Sequence, residues 1–194
     1  NVYWYRNLYD SALVYYKRAL DISRKENNRE ETAAAIGNIA TTYQAIGNYS
    51  LALEYFEKSL EIKREIGDEI QIANLVNDIG TIYQEWGHYE KALEYYIEAA
   101  NTYEKAGDTR GVAIATDNIG AIYRLWGDYE KALTFAMKAL EYEQRIDRKT
   151  GIAYSYISIG DIHRETGNND EALGYFHDAY NLFDRISDKS GMAK

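Results

Sequence analysis

The chain has 194 residues, 46% of them hydrophobic, with 20 tyrosines and neither cysteine nor proline. That is apolar enough for a continuous core, and it excludes a disulfide framework and a thiolate metal site. The 31 acidic and 22 basic side chains leave a net charge of −9, without the Lys/Arg cluster that displaces counterions from phosphates, so neither nucleic acid nor an anionic membrane is an expected partner.

No apolar run approaches the roughly 18 residues that span a bilayer, and no signal peptide is visible. With the lack of thiols this fits a reducing compartment, and a cytoplasmic location is expected. The first residue is Asn1 rather than Met, which is compatible with a processed or excised N-terminus.

From the N-terminus onward, Tyr3, Tyr9, Ala12 and Leu13 begin a pattern that returns every forty residues. Ile39, Ile79, Ile119 and Ile159 head its columns, followed by Ala40, Gly80, Gly120 and Gly160. Tyr43, Tyr83, Tyr123 and His163 come next, then Gly47, Gly87, Gly127 and Gly167. Tyr49, Tyr89, Tyr129 and Asn169 precede the pairs Ala52-Leu53, Ala92-Leu93, Ala132-Leu133 and Ala172-Leu173. A fixed period of this size signals supersecondary units that bury their apolar faces only against neighbours. The spacing predicts a single array: a partial repeat at 1–32 (the end of a first helix plus a second helix), then repeats at 33–72, 73–112, 113–152 and 153–190. Gly191-Met192-Ala193 matches Gly111-Val112-Ala113 and Gly151-Ile152-Ala153, so 191–194 is expected to start a further helix.

Within the repeat from Ala73 to Val112, small or apolar residues at Leu75, Val76, Ile79, Gly80, Ile82 and Tyr83 advance in helical steps of three and four. Gly87 ends that helix, because the left-handed conformation is cheapest for glycine. Tyr89, Ala92, Leu93, Tyr96, Ala99, Ala100 and Tyr103 form the apolar stripe of a second helix, closed by Gly107, with Asp108 available to cap the next. Each unit is then two antiparallel helices of about 17 residues, roughly 25 Å long. The small residues of the 80, 92 and 99 columns allow close approach, and tyrosines in columns fill the space as interlocking core residues. Trp86 and Trp126, just before turn glycines, are expected to pack at the helix–turn corner, with an exposed interaction hot spot as the other reading.

These residues resemble the tetratricopeptide repeat, whose pattern of a large residue, Leu-Gly, Tyr, Ala and Phe is matched by Val76, Ile79-Gly80, Tyr83, Ala92 and Tyr96. Gly87-x-Tyr89 and Ala99 agree as well. The period exceeds the family's usual value of about 34, and Arg64, Glu104, Gln144 and Asp184 occupy the column of its closing proline. The chain is thus similar to the long-helix subclass found in kinesin light chains, Pins-type adaptors, bacterial Rap regulators and bacterial sensor kinases. The resemblance implies an all-α fold, a right-handed superhelical solenoid of antiparallel helix pairs, whose first helices line a concave groove.

Carried onto this sequence, the groove positions are Ala34, Asn38, Thr41 and Ala45; Asn74, Asp78, Thr81 and Glu85; Ile114, Asn118, Ala121 and Leu125; and Tyr154, Ser158, Asp161 and Glu165. Gln44, Gln84, Arg124 and Arg164 flank them. The column Asn38, Asp78, Asn118, Ser158 is polar in every unit. Asparagine offers a donor and an acceptor to an extended peptide, although a short polar residue that merely faces solvent would look the same. Without a groove lysine, a grip on a C-terminal carboxylate is not expected. A neutral or basic protein or peptide fits better, with one acid able to meet Arg124 and Arg164.

His88, His163 and His177 lack metal-ligand spacing, and no phosphate loop, nucleophile elbow or HExxH occurs. The chain is therefore expected to be no enzyme, with no cofactor, metal or catalytic residue. Its expected function is a protein–protein interaction scaffold within a larger multidomain protein. The alternative is a sensor module that controls an attached signalling or DNA-binding domain. Ala12, Leu13, Tyr16 and Leu20 at one end, and Leu173, Phe176 and Phe183 at the other, keep the internal pattern and so predict end-to-end self-association.

Overall fold

The computed structural model describes the backbone of residues 2–191 and the side chains of residues 8–187. Among these residues it holds nine α-helices and no strand: α1 (Val2–Lys25), α2 (Arg29–Ala45), α3 (Tyr49–Ile66), α4 (Glu69–Glu85), α5 (Tyr89–Ala106), α6 (Thr109–Leu125), α7 (Tyr129–Arg145), α8 (Lys149–Glu165) and α9 (Asn169–Gly191). The interior helices are 17 or 18 residues long, as the periodicity predicts.

Local chemistry explains the breaks between them. Each turn contains one residue at positive φ, which is Gly47, Gly67, Gly87, Gly107, Gly127 or Gly167 in six turns and Asn27 or Asp147 in the other two. Asn and Asp are the side chains that best tolerate this conformation after glycine. The following residue often caps the next helix: Asn28, Asn48, Asp68, Asp108 and Asp128 each accept a hydrogen bond from the backbone N–H three residues on. Arg148 has no such acceptor, and α8 starts without a side-chain cap.

The two ends depart from the repeat. The columns place the end of a first helix near Asn7, yet α1 runs unbroken from Val2 to Lys25. Asn7 stands in the turn-glycine column and could adopt positive φ as Asn27 does, but Leu8 stands where most other units have a capping side chain and offers no acceptor to start a new helix. Likewise α9 continues past Ser187, which occupies the column of Gly67 and Gly107. The Tyr3 side chain and residues 192–194, where a further helix was expected, lie outside the described residues.

The chain forms two compact units, Asn1–Glu98 and Ala99–Lys194, and the division falls within α5. In the first, α2 packs against α1 and α3, and α3 against α4. Leu20 of α1 joins Ala35, Ile36 and Ile39 of α2 in a core onto which Leu13, Tyr16, Tyr43, Tyr55 and Ile62 pack. Leu13, Tyr16 and Leu20 are therefore inward-facing, contrary to the expectation that they form an open end. Among the described residues, the large apolar side chains that α1 exposes are Leu8, Val14, Tyr15 and Ile22. Ser59 Oγ donates to the Ala33 carbonyl (2.8 Å), and the buried Lys63 ammonium pairs with Glu30.

In the second unit, Ala132 and Ala136 of α7 and Ile159 and Ile162 of α8 form a core covered by Tyr123, Tyr129, Leu133, Leu140 and Tyr175. Glu143, buried on α7, is held by both ends of the Arg148 guanidinium and lies over Gly151, where any Cβ would overlap it. Phe176 lies over Gly160, and Phe183 meets Tyr154 edge-on at 5.4 Å, so both face inward, while Leu173 and Tyr180 are exposed.

Few of the tyrosines are fully buried; Tyr96 and Tyr103 are. The recurrent arrangement is a half-buried ring pair that joins the two helices of a repeat: Tyr43–Tyr55 (5.5 Å), Tyr83–Tyr95 (5.3 Å), Tyr123–Phe135 (5.4 Å) and His163–Tyr175 (5.6 Å). His163 thus serves as an aromatic plate in a tyrosine column.

Candidate partner-binding surface

The predicted binding residues all lie on the first helices of the repeats. Asn38, Thr41 and Gln44 are on α2, and Asn74, Asp78, Thr81 and Gln84 on α4, within the first unit. Asn118 and Arg124 are on α6, and Tyr154, Ser158, Asp161 and Arg164 on α8, within the second. None is fully buried: Asn38, Thr41, Asn74, Tyr154 and Arg164 are exposed and the others half-buried.

A register of 41 residues links neighbouring first helices inside each unit. Gln44 Nε2 donates to Glu85 Oε2 at 3.1 Å, and Arg124 reaches Glu165 Oε1 at 2.5 Å. Ser158 Oγ donates to Asp117 Oδ2 at 3.3 Å, again 41 residues apart. Arg164 pairs with Asp161 on its own helix at 2.7 Å. Both arginines therefore already face a carboxylate, and an acid brought by a partner would have to compete for them. The Tyr96 hydroxyl donates to Gln84 Oε1 at 2.8 Å and lies 3.3 Å from Thr81 Oγ1, which fixes two more of these positions from α5.

Two carboxylates stand apart. Asp78, on α4, is half-buried, and burial pushes its pKa up to about 6. Asp117, on α6, is also raised by burial, against a smaller opposing effect of the Ser158 hydrogen bond. Its Oδ1 is sealed from solvent and has no hydrogen-bond donor. Sequence reasoning passed over Asp117 because its column reads Gly37, Asn77, Asp117, Ile157 and shares no chemistry; the 41-residue register would have placed it opposite Ser158.

Trp86 and Trp126 combine the two expectations held for them. Trp86 touches Tyr49 (6.1 Å) and His88 (5.1 Å) but is 46% exposed; Trp126 meets Tyr123 (5.7 Å) and is 41% exposed. Along α3 and α5 a cleft of about 720 Å³ is rimmed by Glu57, Glu61, Glu65, Glu94 and Glu98. Among the described residues no cluster of three or more His, Asp or Glu is arranged to hold a metal, and no helix is long and apolar enough to cross a membrane.

A family model described as tetratricopeptide repeat matches residues 1–65 and 70–145, most of the chain. The chain belongs to the tetratricopeptide repeat family. A second family model, anaphase-promoting complex subunit 5, matches residues 122–193. No curated protein sequence matches the chain significantly.

Solved structures similar to this tetratricopeptide array include BtubC (BKLC) from P. vanneervenii, at 21% identity and a TM-score of 0.78, covering 92% of this chain and 74% of that one. The apo form of RapI matches at 20% identity and a TM-score of 0.79, over 93% of this chain and 50% of RapI. A Rap protein complexed with competence and sporulation factor matches at 15% identity and a TM-score of 0.70, over 91% of this chain and 59% of that one. At these identities the likeness establishes the all-α repeat fold. Tetratricopeptide arrays are typically protein-interaction scaffolds or regulator modules, and at that level of description this chain is one.

Proposed function

We propose that the first-helix surfaces, α2 with α4 and α6 with α8, bind a segment of a protein or peptide partner that is neutral or basic in charge. The observation that carries this reading is the division of each first helix into two faces. One face fills the core, with Ile36 and Ile39 on α2, Val76 and Ile79 on α4, Ile119 and Ile122 on α6 and Ile159 and Ile162 on α8, whereas the face with the candidate residues carries short hydrogen-bonding groups and no lysine. Asn38 and Asp78 in the first unit and Asn118 and Ser158 in the second repeat on those faces, and Asp78, Glu85, Asp161 and Glu165 bias them against acidic partners. The similarity to a Rap protein solved with competence and sporulation factor favours a responsive module over a passive adaptor, and such a module passes binding on to whatever domain is attached.

A peptide-display selection against the folded array tests the proposal. Peptides enriched by the wild type should lose at least about ten-fold in affinity against the Asn38→Ala/Asn118→Ala double variant, which removes two amide pairs. Unchanged affinities in a double variant with a native circular dichroism spectrum refute the surface assignment.

A further inference from the structure

In the second unit a cavity of about 50 Å³ lies between α6 and α8, with α7 as its floor, lined by Asp117, Ala121, Arg124, Ala136, Ser158 and Asp161. Small side chains make the room; Ala136 occupies the position that Tyr96 fills one repeat earlier and Phe56 two repeats earlier. Around the cavity stand three carboxylates (Asp117, Asp161 and Glu165) and two guanidinium groups. Arg124 is taken by Glu165 at 2.5 Å and Arg164 by Asp161 at 2.7 Å. Asp117 is thus the carboxylate that forms no ion pair, with Arg124 acting on it only at longer range. Ser158 binds its Oδ2, and its Oδ1 has no donor.

A carboxylate withdrawn from water without a donor is costly, and native folds rarely leave one so unless a ligand completes it. We infer that this cavity is a socket for one primary ammonium group, the lysine side chain of the partner segment that lies along α6 and α8. The inference rests on the partner-binding surface proposed above and names the chemistry it selects. The volume suits one or two groups of water size, about 30 Å³ each. It suits a compact ammonium with its last methylene better than the wider planar fork of a guanidinium. An ammonium carries three donors, and three acceptors converge here: the Asp117 carboxylate, Ser158 Oγ and the Asp161 carboxylate. The terminal torsion of an aspartate is broad, so the Asp117 carboxylate can turn Oδ1 towards the entering group.

Methylammonium chloride is the probe, titrated into the whole chain while amide resonances are followed by nuclear magnetic resonance. Saturable shifts centred on residues 117 and 158 are expected. Tetramethylammonium, equal in charge but without an N–H donor, should not reproduce them. Asp117→Asn removes the uncompensated buried charge, so it should fold at least as stably as the wild type, and it should weaken methylammonium at least about ten-fold. Ser158→Ala should weaken it less. Identical responses to the two cations, retained binding in Asp117→Asn, or no response from the wild type overturns the socket and leaves solvent as its occupant. The probe needs no peptide. Saturable methylammonium binding with a failed peptide selection therefore removes the surface reading and keeps the socket. Peptides that bind regardless of their lysines and of Asp117→Asn remove the socket and keep the surface.

Discussion

Gly37 and Gly80 share a chemistry but not a context. A Cβ on Gly80 would lie 2.8 Å from Tyr96 Cε1, and that ring is anchored by its hydrogen bond to Gln84; at Gly37 the nearest atom is Ser59 Oγ at an ordinary 3.6 Å. Gly80→Ala should therefore destabilise the array by about 1–3 kcal/mol through overpacking, while Gly37→Ala should stabilise it by about 0.5–1 kcal/mol through helix propensity. Urea denaturation of the two variants reads out the opposite signs. Asp78 carries a pH dependence. Its folded pKa, about 6, lies above its ordinary 3.8, so the folded state holds the proton more tightly. Its contribution to stability is thus greatest below pH 4 and is lost as the pH rises towards 6. Asp78→Asn should leave stability unchanged near pH 4 and raise it above pH 6.5, by at most about 3 kcal/mol. Paired thermal melts at the two pH values check this, and an equal effect at both would remove the buried-carboxylate account.

At the scale of the element, helix boundaries follow from one residue able to adopt positive φ and one able to cap. Asp108 does the second task for α6 by accepting from the Gly111 N–H at 3.1 Å. Asp108→Ala should cost about 1 kcal/mol, visible as a lower urea midpoint with an unchanged slope. These boundaries were legible in the sequence because both signals are local. Where the capping signal fails, a helix can run on, as α1 does through Leu8. The extra length of the ends was harder to read, since a column shows which residue type is missing but not what the backbone does instead. The tyrosine columns were legible as packing elements. Their depth was not, because a ring that bridges the two helices of a repeat leaves one edge in water, and periodicity alone does not distinguish that edge from the core.

At the scale of the whole molecule, the helices within each unit pack mainly on their neighbours in sequence, so stability is expected to accumulate repeat by repeat inside each unit. Self-association remains a proposal, and its residues have changed. With Leu13, Tyr16 and Leu20 turned inward, the exposed candidates are Leu8, Val14, Tyr15 and Ile22 on α1 and Leu173 and Tyr180 on α9. Sedimentation velocity over a hundred-fold concentration range should show reversible association that a Tyr15→Glu/Ile22→Glu variant abolishes. A single monomeric species throughout argues against it.

The amino-acid sequence by itself determined the forty-residue repeat, the all-α fold, the helix pairs, the turn residues and the small-to-large packing columns. All of these rest on helical periodicity and on backbone preferences that act within a few residues. It also assigned the candidate surface to the first helix of each repeat. Only the tertiary structure decided which of those side chains are already engaged: Gln44 by Glu85, Gln84 by Tyr96, Arg124 by Glu165 and Arg164 by Asp161. It alone singled out Asp117, whose column carries no consistent chemistry. Burial and pairing are set by distances across helix packing, and those distances come from the fit of whole side chains against each other, which no column of residue types records.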